Sequence, residues 1–170
     1  MIRTRRLVTL LAALGALLAL AGAAQARGFS VADADAGGGS DVACAPCSTI
    51  AGALRKAAAA PGDDFIILGV GVYRGSFGVR DPARVALIGH GGRTVIAGNI
   101  DVGLPNGVTT YIPGGSGLGV GAGRYVQFED LVLQSPAEAI SANRVDIRLK
   151  NTSVNGNVSV VNAGAVVDRS

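Results

Sequence analysis

The sequence predicts an all-β protein, a short solenoid of stacked parallel coils behind one amphipathic helix. Three observations carry that expectation. Short apolar runs recur about every 20 residues from Asp63 onward, the mark of a repeat architecture. Gly, Asn, Asp and Pro separate those runs and supply tight corners. The 170 residues include 26 Gly but no Trp, four Phe and three Tyr, so a core has to be built from Val, Ile, Leu and Ala. That mixture suits short strands better than a helix bundle.

Residues 1–26 read as an export signal. Arg3, Arg5 and Arg6 precede an apolar run from Leu7 to Ala24, and Ala24-Gln25-Ala26 supplies the small-x-small ending, so cleavage is expected after Ala26. A membrane anchor is the competing reading, because the run approaches the ~20 residues that span a bilayer. Its small residues and cleavage-type ending favour removal. No cysteine stands near the end of the run, as a lipoprotein would need, and Thr4-Arg5-Arg6-Leu7-Val8 only loosely matches a twin-arginine signal. The expected location is secreted or otherwise extracytoplasmic. Three of the 15 basic residues leave with the signal, and the rest balance the 12 acidic ones. A neutral mature chain lacks the charge footprint of a nucleic-acid or membrane-surface binder, so neither partner is expected.

Residues 27–47 form a separate expected region: a short strand around Phe29-Ser30-Val31, then a polar, Gly-rich loop. The aspartates Asp33, Asp35 and Asp41 invite a calcium reading. The EF-hand spacing fails, having neither the central glycine nor the closing glutamate. Cys44-Ala45-Pro46-Cys47 follows. A cysteine pair at a helix start can be redox-active, but the strand–helix–strand frame of thioredoxin-like enzymes is missing. In an exported chain a structural Cys44–Cys47 disulfide is the favoured reading.

Residues 48–170 hold the helix and the coils. Ser48 or Thr49 can cap a helix over Ser48–Ala60, with Ile50, Ala53, Leu54 and Ala57 on one face, Arg55 and Lys56 on the wet side, and Pro61-Gly62 as the stop. Strand runs are expected around Ile66, Val85, Val108, Val126 and Val145. A second apolar unit fills each interval: Val70–Tyr73, Thr94–Ile96, Leu118–Val120, Leu131–Leu133 and Ser153-Val154. Hairpin turns are scarce, with Asn106-Gly107 and Asn155-Gly156 as candidates. The regular leucine spacing of leucine-rich repeats is absent. After Val161 no end cap is recognisable, so the last coil is expected to be uncapped or truncated and open to association with another chain.

Thr49-Ile50-x-x-Ala53-Leu54-x-x-Ala57, Pro61-Gly62-Asp63-Asp64-x-Ile66-x-Leu68, Gly71-Val72-Tyr73, Val85-x-Leu87-Ile88-Gly89 and Thr94-Val95-Ile96-x-Gly98 together resemble the opening of right-handed parallel β-helix proteins of the pectin lyase-like superfamily. The resemblance runs from about Thr49 to Val160. It implies a capping helix and a Pro-Gly-Asp turn into the first coil, and the five marker runs make about five coils. It leaves activity open, because that superfamily includes lyases, hydrolases, adhesins and proteins of no known chemistry.

Strand alternation puts Val126, Phe128, Val145 and Ile147 inside and Gln127, Glu129, Asp146 and Arg148 outside, with Glu129 expected over Arg148. Such a set could form part of a carbohydrate-facing groove or a solvated charge ladder. Glu129, Asp146 and Arg148 are thus the candidate catalytic residues. Asp63-Asp64 and Glu129-Asp130 are the only adjacent acidic pairs, and no acid cluster recurs at one coil position, so no metal or cofactor site is expected; calcium would enter only with a lyase. His90 reads as a turn residue rather than a base. Gly115, Gly117, Gly119, Gly121 and Gly123 lack the helix and lysine of a phosphate loop. Asn151-Thr152-Ser153 and Asn157-Val158-Ser159 fit glycosylation sequons. The expected function is a secreted or surface-associated non-catalytic module that binds carbohydrate or an extracellular protein. The alternative is a polysaccharide lyase or glycoside hydrolase acting on an acidic, pectate-like polymer.

Overall fold

The computed structural model describes residues 26–35, 38–59, 62–80, 84–103 and 125–168. The elements, in chain order, are β1 (Arg27–Val31), α1 (Ile50–Ala58), β2 (Asp63–Leu68), β3 (Gly71–Arg74), β4 (Phe77–Val79), β5 (Arg84–Ile88), β6 (Thr94–Ala97), β7 (Ile100–Gly103), β8 (Tyr125–Glu129), β9 (Val132–Asn143), β10 (Asp146–Lys150), β11 (Ser153–Val161) and β12 (Ala165–Asp168). The described residues are mostly β, with parallel sheets and no closed barrel among them.

The strands form two sheets. One has the order β1-β2-β5-β8-β10-β12; the other has β3-β6-β9-β7-β4, with β11 running alongside β9. Every strand pair among the described residues is parallel. The long β9 pairs through Val132–Gln134 with β6 and through Ile140–Asn143 with β7, so it joins two short strands of the preceding pass in one.

Side-chain alternation makes the packing. In the first sheet Phe29, Ile66, Leu87, Phe128, Leu149 and Val167 stand in one register row. In the second, Tyr73, Ile96, Leu133 and Val154 make another. Buried members of both rows belong to a single core cluster. Each large aliphatic or aromatic side chain buried this way contributes about 1.5–3 kcal/mol.

The corners explain the Gly, Asn and Asp content. Asp130 and Asn151, which follow the paired residues Glu129 and Lys150, both take left-handed backbone conformations. Asn and Asp tolerate that region better than bulkier residues. At another corner Gly98 lies against the carbonyl of Gly75, leaving no room for a Cβ. Thr94 and Thr152 are fully buried but not orphaned: the Thr94 hydroxyl donates to the Gly69 carbonyl (3.0 Å), and that of Thr152 lies 2.9 Å from the Phe128 carbonyl oxygen.

The N-terminal region is tied to the first sheet. Cys44 and Cys47 form a disulfide. Cys47 pairs in parallel with Val31, its amide donating to the Ser30 carbonyl (2.7 Å) while its own carbonyl accepts from Ala32 (2.9 Å). Thr49 caps α1, its hydroxyl accepting from the Gly52 amide at 2.9 Å. The buried face of α1, including Ile50, Ala53, Leu54 and Ala57, packs toward β1, β2 and β4. No helix among the described residues is long and apolar enough to cross a membrane.

Three sequence expectations change. Val85 pairs directly with Val126, although a strand run at residues 108–112 is expected between them in sequence. Those residues, like Asn106-Gly107, Leu118–Val120, the glycines at 115–123 and positions 1–25, lie outside the described residues. Asn155-Gly156 makes no hairpin; it sits within β11 at a register shift along the parallel partner β9. Val126 pairs with Ile147 instead of standing beside Val145. Val145 is buried at the corner that follows Arg144, whose φ is 60°, and this corner moves the register by two residues.

Candidate functional site

The chemistry-bearing side chains gather on the outward face of the first sheet. β8 supplies Tyr125, Gln127 and Glu129, and β10 supplies Asp146, Arg148 and Lys150, all of the parity opposite to the buried Val126, Phe128, Ile147 and Leu149. The register pairs Tyr125 with Asp146, Gln127 with Arg148 and Glu129 with Lys150. The expected Glu129–Arg148 neighbourhood is therefore corrected: Glu129 faces Lys150.

Glu129 is bound on both sides. It accepts a hydrogen bond from the Gln127 side-chain amide (2.8 Å) and makes an ion pair with Lys150. The pair raises the Lys150 pKa above the usual lysine value, chiefly through the hydrogen bond that the Lys150 ammonium donates to the Glu129 carboxylate. Asp146 accepts from the Gly164 amide at 2.7 Å. Glu129 and Asp146 lie on neighbouring strands four positions apart along the ladder, roughly 13 Å at the rise of a strand. Two carboxylates that flank a scissile glycosidic bond stand about 5–9.5 Å apart. Their spacing and their existing partners make these acids fixtures of the sheet surface, not a facing pair.

Tyr125 and Arg148 have a different character. The Arg148 guanidinium carbon lies 3.9 Å from the centre of the Tyr125 ring, and that of Arg84, on the other neighbouring strand, lies 5.7 Å from it. Arg84 is also held by Asp63, its Nε donating to Oδ1 at 2.8 Å. Arg148 meets no carboxylate at ion-pair distance among the described residues. The ring fixes its plane, and among the described residues no hydrogen bond occupies the donors of its fork. Gln127 and Arg148 thus sit side by side as planar polar groups, next to an aromatic ring.

The other candidates are structural in their contacts. Asp33 accepts from the Val70 amide (2.8 Å), and Asp41 accepts from the amides and hydroxyls of Ser48 and Thr49. Among the described residues no three His, Cys, Asp or Glu side chains are grouped to hold a metal. Cys47 is fully buried and bonded to Cys44. His90 is exposed in a turn, its amide donating to the Thr94 hydroxyl at 3.0 Å. In the first sequon Asn151 is exposed, while Thr152 is buried.

Sequence reasoning passed over Tyr125 and Lys150. The alternation Tyr125-Val126-Gln127-Phe128-Glu129 carries the signal for Tyr125, and the continuation of Asp146 and Arg148 to the next outward position carries it for Lys150. It also passed over the Arg27–Asp64 pair, which joins residues 37 apart in sequence. No protein family, curated protein or solved structure matches the chain.

Proposed function

We propose that the chain is an exported, non-catalytic binding module, a short right-handed parallel β-helix capped by α1, that grips an acidic polysaccharide on the outward face of its first sheet. The order of strands in the two sheets supports the β-helix: from β2 to β11 the chain adds strands to one sheet and the other in turn, and ion-paired residues such as Asp63–Arg84 and Glu129–Lys150 are 21 apart. The contact of α1 with β1, β2 and β4 supports the capping role.

One observation carries the binding reading: Arg148 is stacked on Tyr125 without a carboxylate partner among the described residues. A guanidinium held flat with free donors suits the carboxylate or sulfate of a charged sugar. Gln127 adds a planar amide beside it, and an open sheet face accommodates an extended chain.

The test is binding to polygalacturonate and to a neutral glucan, with and without calcium. Wild type is expected to bind the acidic polymer in a salt-sensitive way. Arg148→Ala should weaken binding about tenfold or more, the usual worth of a charge-assisted hydrogen bond, and Arg148→Lys should restore only part of it. Equal binding by wild type and Arg148→Ala would refute the site. Release of unsaturated or reducing sugar that Glu129→Gln or Asp146→Asn abolishes would replace the module with an enzyme.

A further inference from the structure

Asp64 is a carboxylate in an apolar row. It shares its register position with Val85, Val126 and Ile147, and its side chain is fully shielded from solvent. Burying a charge there requires close compensation. Among the described residues, the compensation comes from one residue. Arg27 Nη2 lies 2.9 Å from Asp64 Oδ2, Arg27 Nε donates to Oδ1 at 3.1 Å, and the Arg27 backbone nitrogen donates to the same Oδ1 at 3.2 Å. Nη2 also donates to the Ala57 carbonyl at 2.8 Å, at the carbonyl end of α1, where a positive charge is favoured.

The backbone nitrogen is the informative atom. Arg27 is the residue that follows Ala24-Gln25-Ala26, and Ala26 is exposed. We propose that Asp64 is the receiving site for the new N-terminus made by export processing, so that cleavage and consolidation of the fold are coupled. The inference rests on the export reading. In the cleavage step water adds across the Ala26–Arg27 peptide bond: Ala26 leaves as a carboxylate, and the Arg27 nitrogen keeps the electron pair and is protonated to an ammonium. A neutral amide donor 3.2 Å from a buried carboxylate becomes a second cation beside it. Before cleavage, Arg27 offers Asp64 one charge; afterwards it offers two. The precursor is accordingly the less stable form, which suits passage through an export channel as an unfolded chain, and the released product is locked by its own terminus.

Two measurements separate this inference from the export reading. The intact mass of protein recovered after export should correspond to a start at Arg27; any other start refutes the processing step. Independently, protein beginning at Arg27 is compared with the same protein retaining Ala26. The Arg27 form should melt about 2–4 °C higher, the shift expected of one modest interaction in a domain of this size. Its α-amine should react with an acylating reagent about tenfold more slowly when folded than when denatured, whereas the Ala26 form should lose this protection. Asp64→Asn should erase both differences. If Asp64→Asn does not fold, the labelling comparison decides alone. Equal melting and equal labelling of the two forms would overturn the inference even with the start at Arg27 confirmed.

Discussion

The Asp41 carboxylate accepts hydrogen bonds from both the backbone amide and the hydroxyl of Thr49, the residue that itself caps α1. The Thr49 hydroxyl, with Ser48 helping, holds the Asp41 carboxyl at about 2, below its ordinary 3.8. Because the folded value is the lower one, the stabilisation is complete above the ordinary value and is lost as pH falls toward 2. Thermal melts of wild type and Asp41→Ala should differ at pH 5 and converge as the pH is lowered to 2. A constant gap would rule out the carboxylate as its source.

Tyr73 gives a signal at the opposite end of the pH scale. Its hydroxyl donates to the Ala32 carbonyl at 2.8 Å, and burial, with Asp33 nearby, pushes it up to about 12 from 10.0. The unfolded chain releases this proton first, so stability falls as pH rises from 10 to 12. An absorbance titration should show a late tyrosine step that Tyr73→Phe removes.

At Gly98 a methyl group would run into the Gly75 carbonyl, a backbone atom that cannot swing aside. Gly98→Ala should cost about 1–3 kcal/mol, as overpacking of a tight site does. Gly78→Ala is the control, since nothing lies within reach of a Cβ there. Urea denaturation of the two variants gives the comparison, and equal midpoints would contradict the corner packing.

Phe128 is fully buried and paired in register with Leu87 and Leu149. Phe128→Ala should lower stability by about 3–5 kcal/mol, and Phe128→Leu by distinctly less, because a smaller cavity remains. Chemical denaturation measures both. A similar loss for the two would mean that the ring does not fill the row.

Much of this arrangement is legible in the sequence because side-chain alternation is a local property. Val126, Phe128 and Ile147 declare an inward face, and Gln127, Glu129 and Arg148 an outward one, without knowledge of their neighbours. Ser48-Thr49 likewise announces the start of α1. Register is not local. Val145 is apolar and buried, like a strand residue, yet it occupies a corner; counting from it shifts the ladder by two and puts Arg148 opposite the wrong residue. Val108-Thr109-Thr110-Tyr111-Ile112 has strand composition, and nothing in its own residues reveals that β5 pairs with β8 across it. Arg27 and Asp64 are individually ordinary polar residues, and only closure of the first pair of strands gives them to each other.

The direct pairing of β5 with β8 has an evolutionary consequence. Because the ladder passes directly from Val85 to Val126 and from Leu87 to Phe128, a change of size at any of these four inward positions is felt at its partner across the ladder. Selection therefore acts on these positions in pairs, and a change at one is expected to be accompanied by a compensating change at the other.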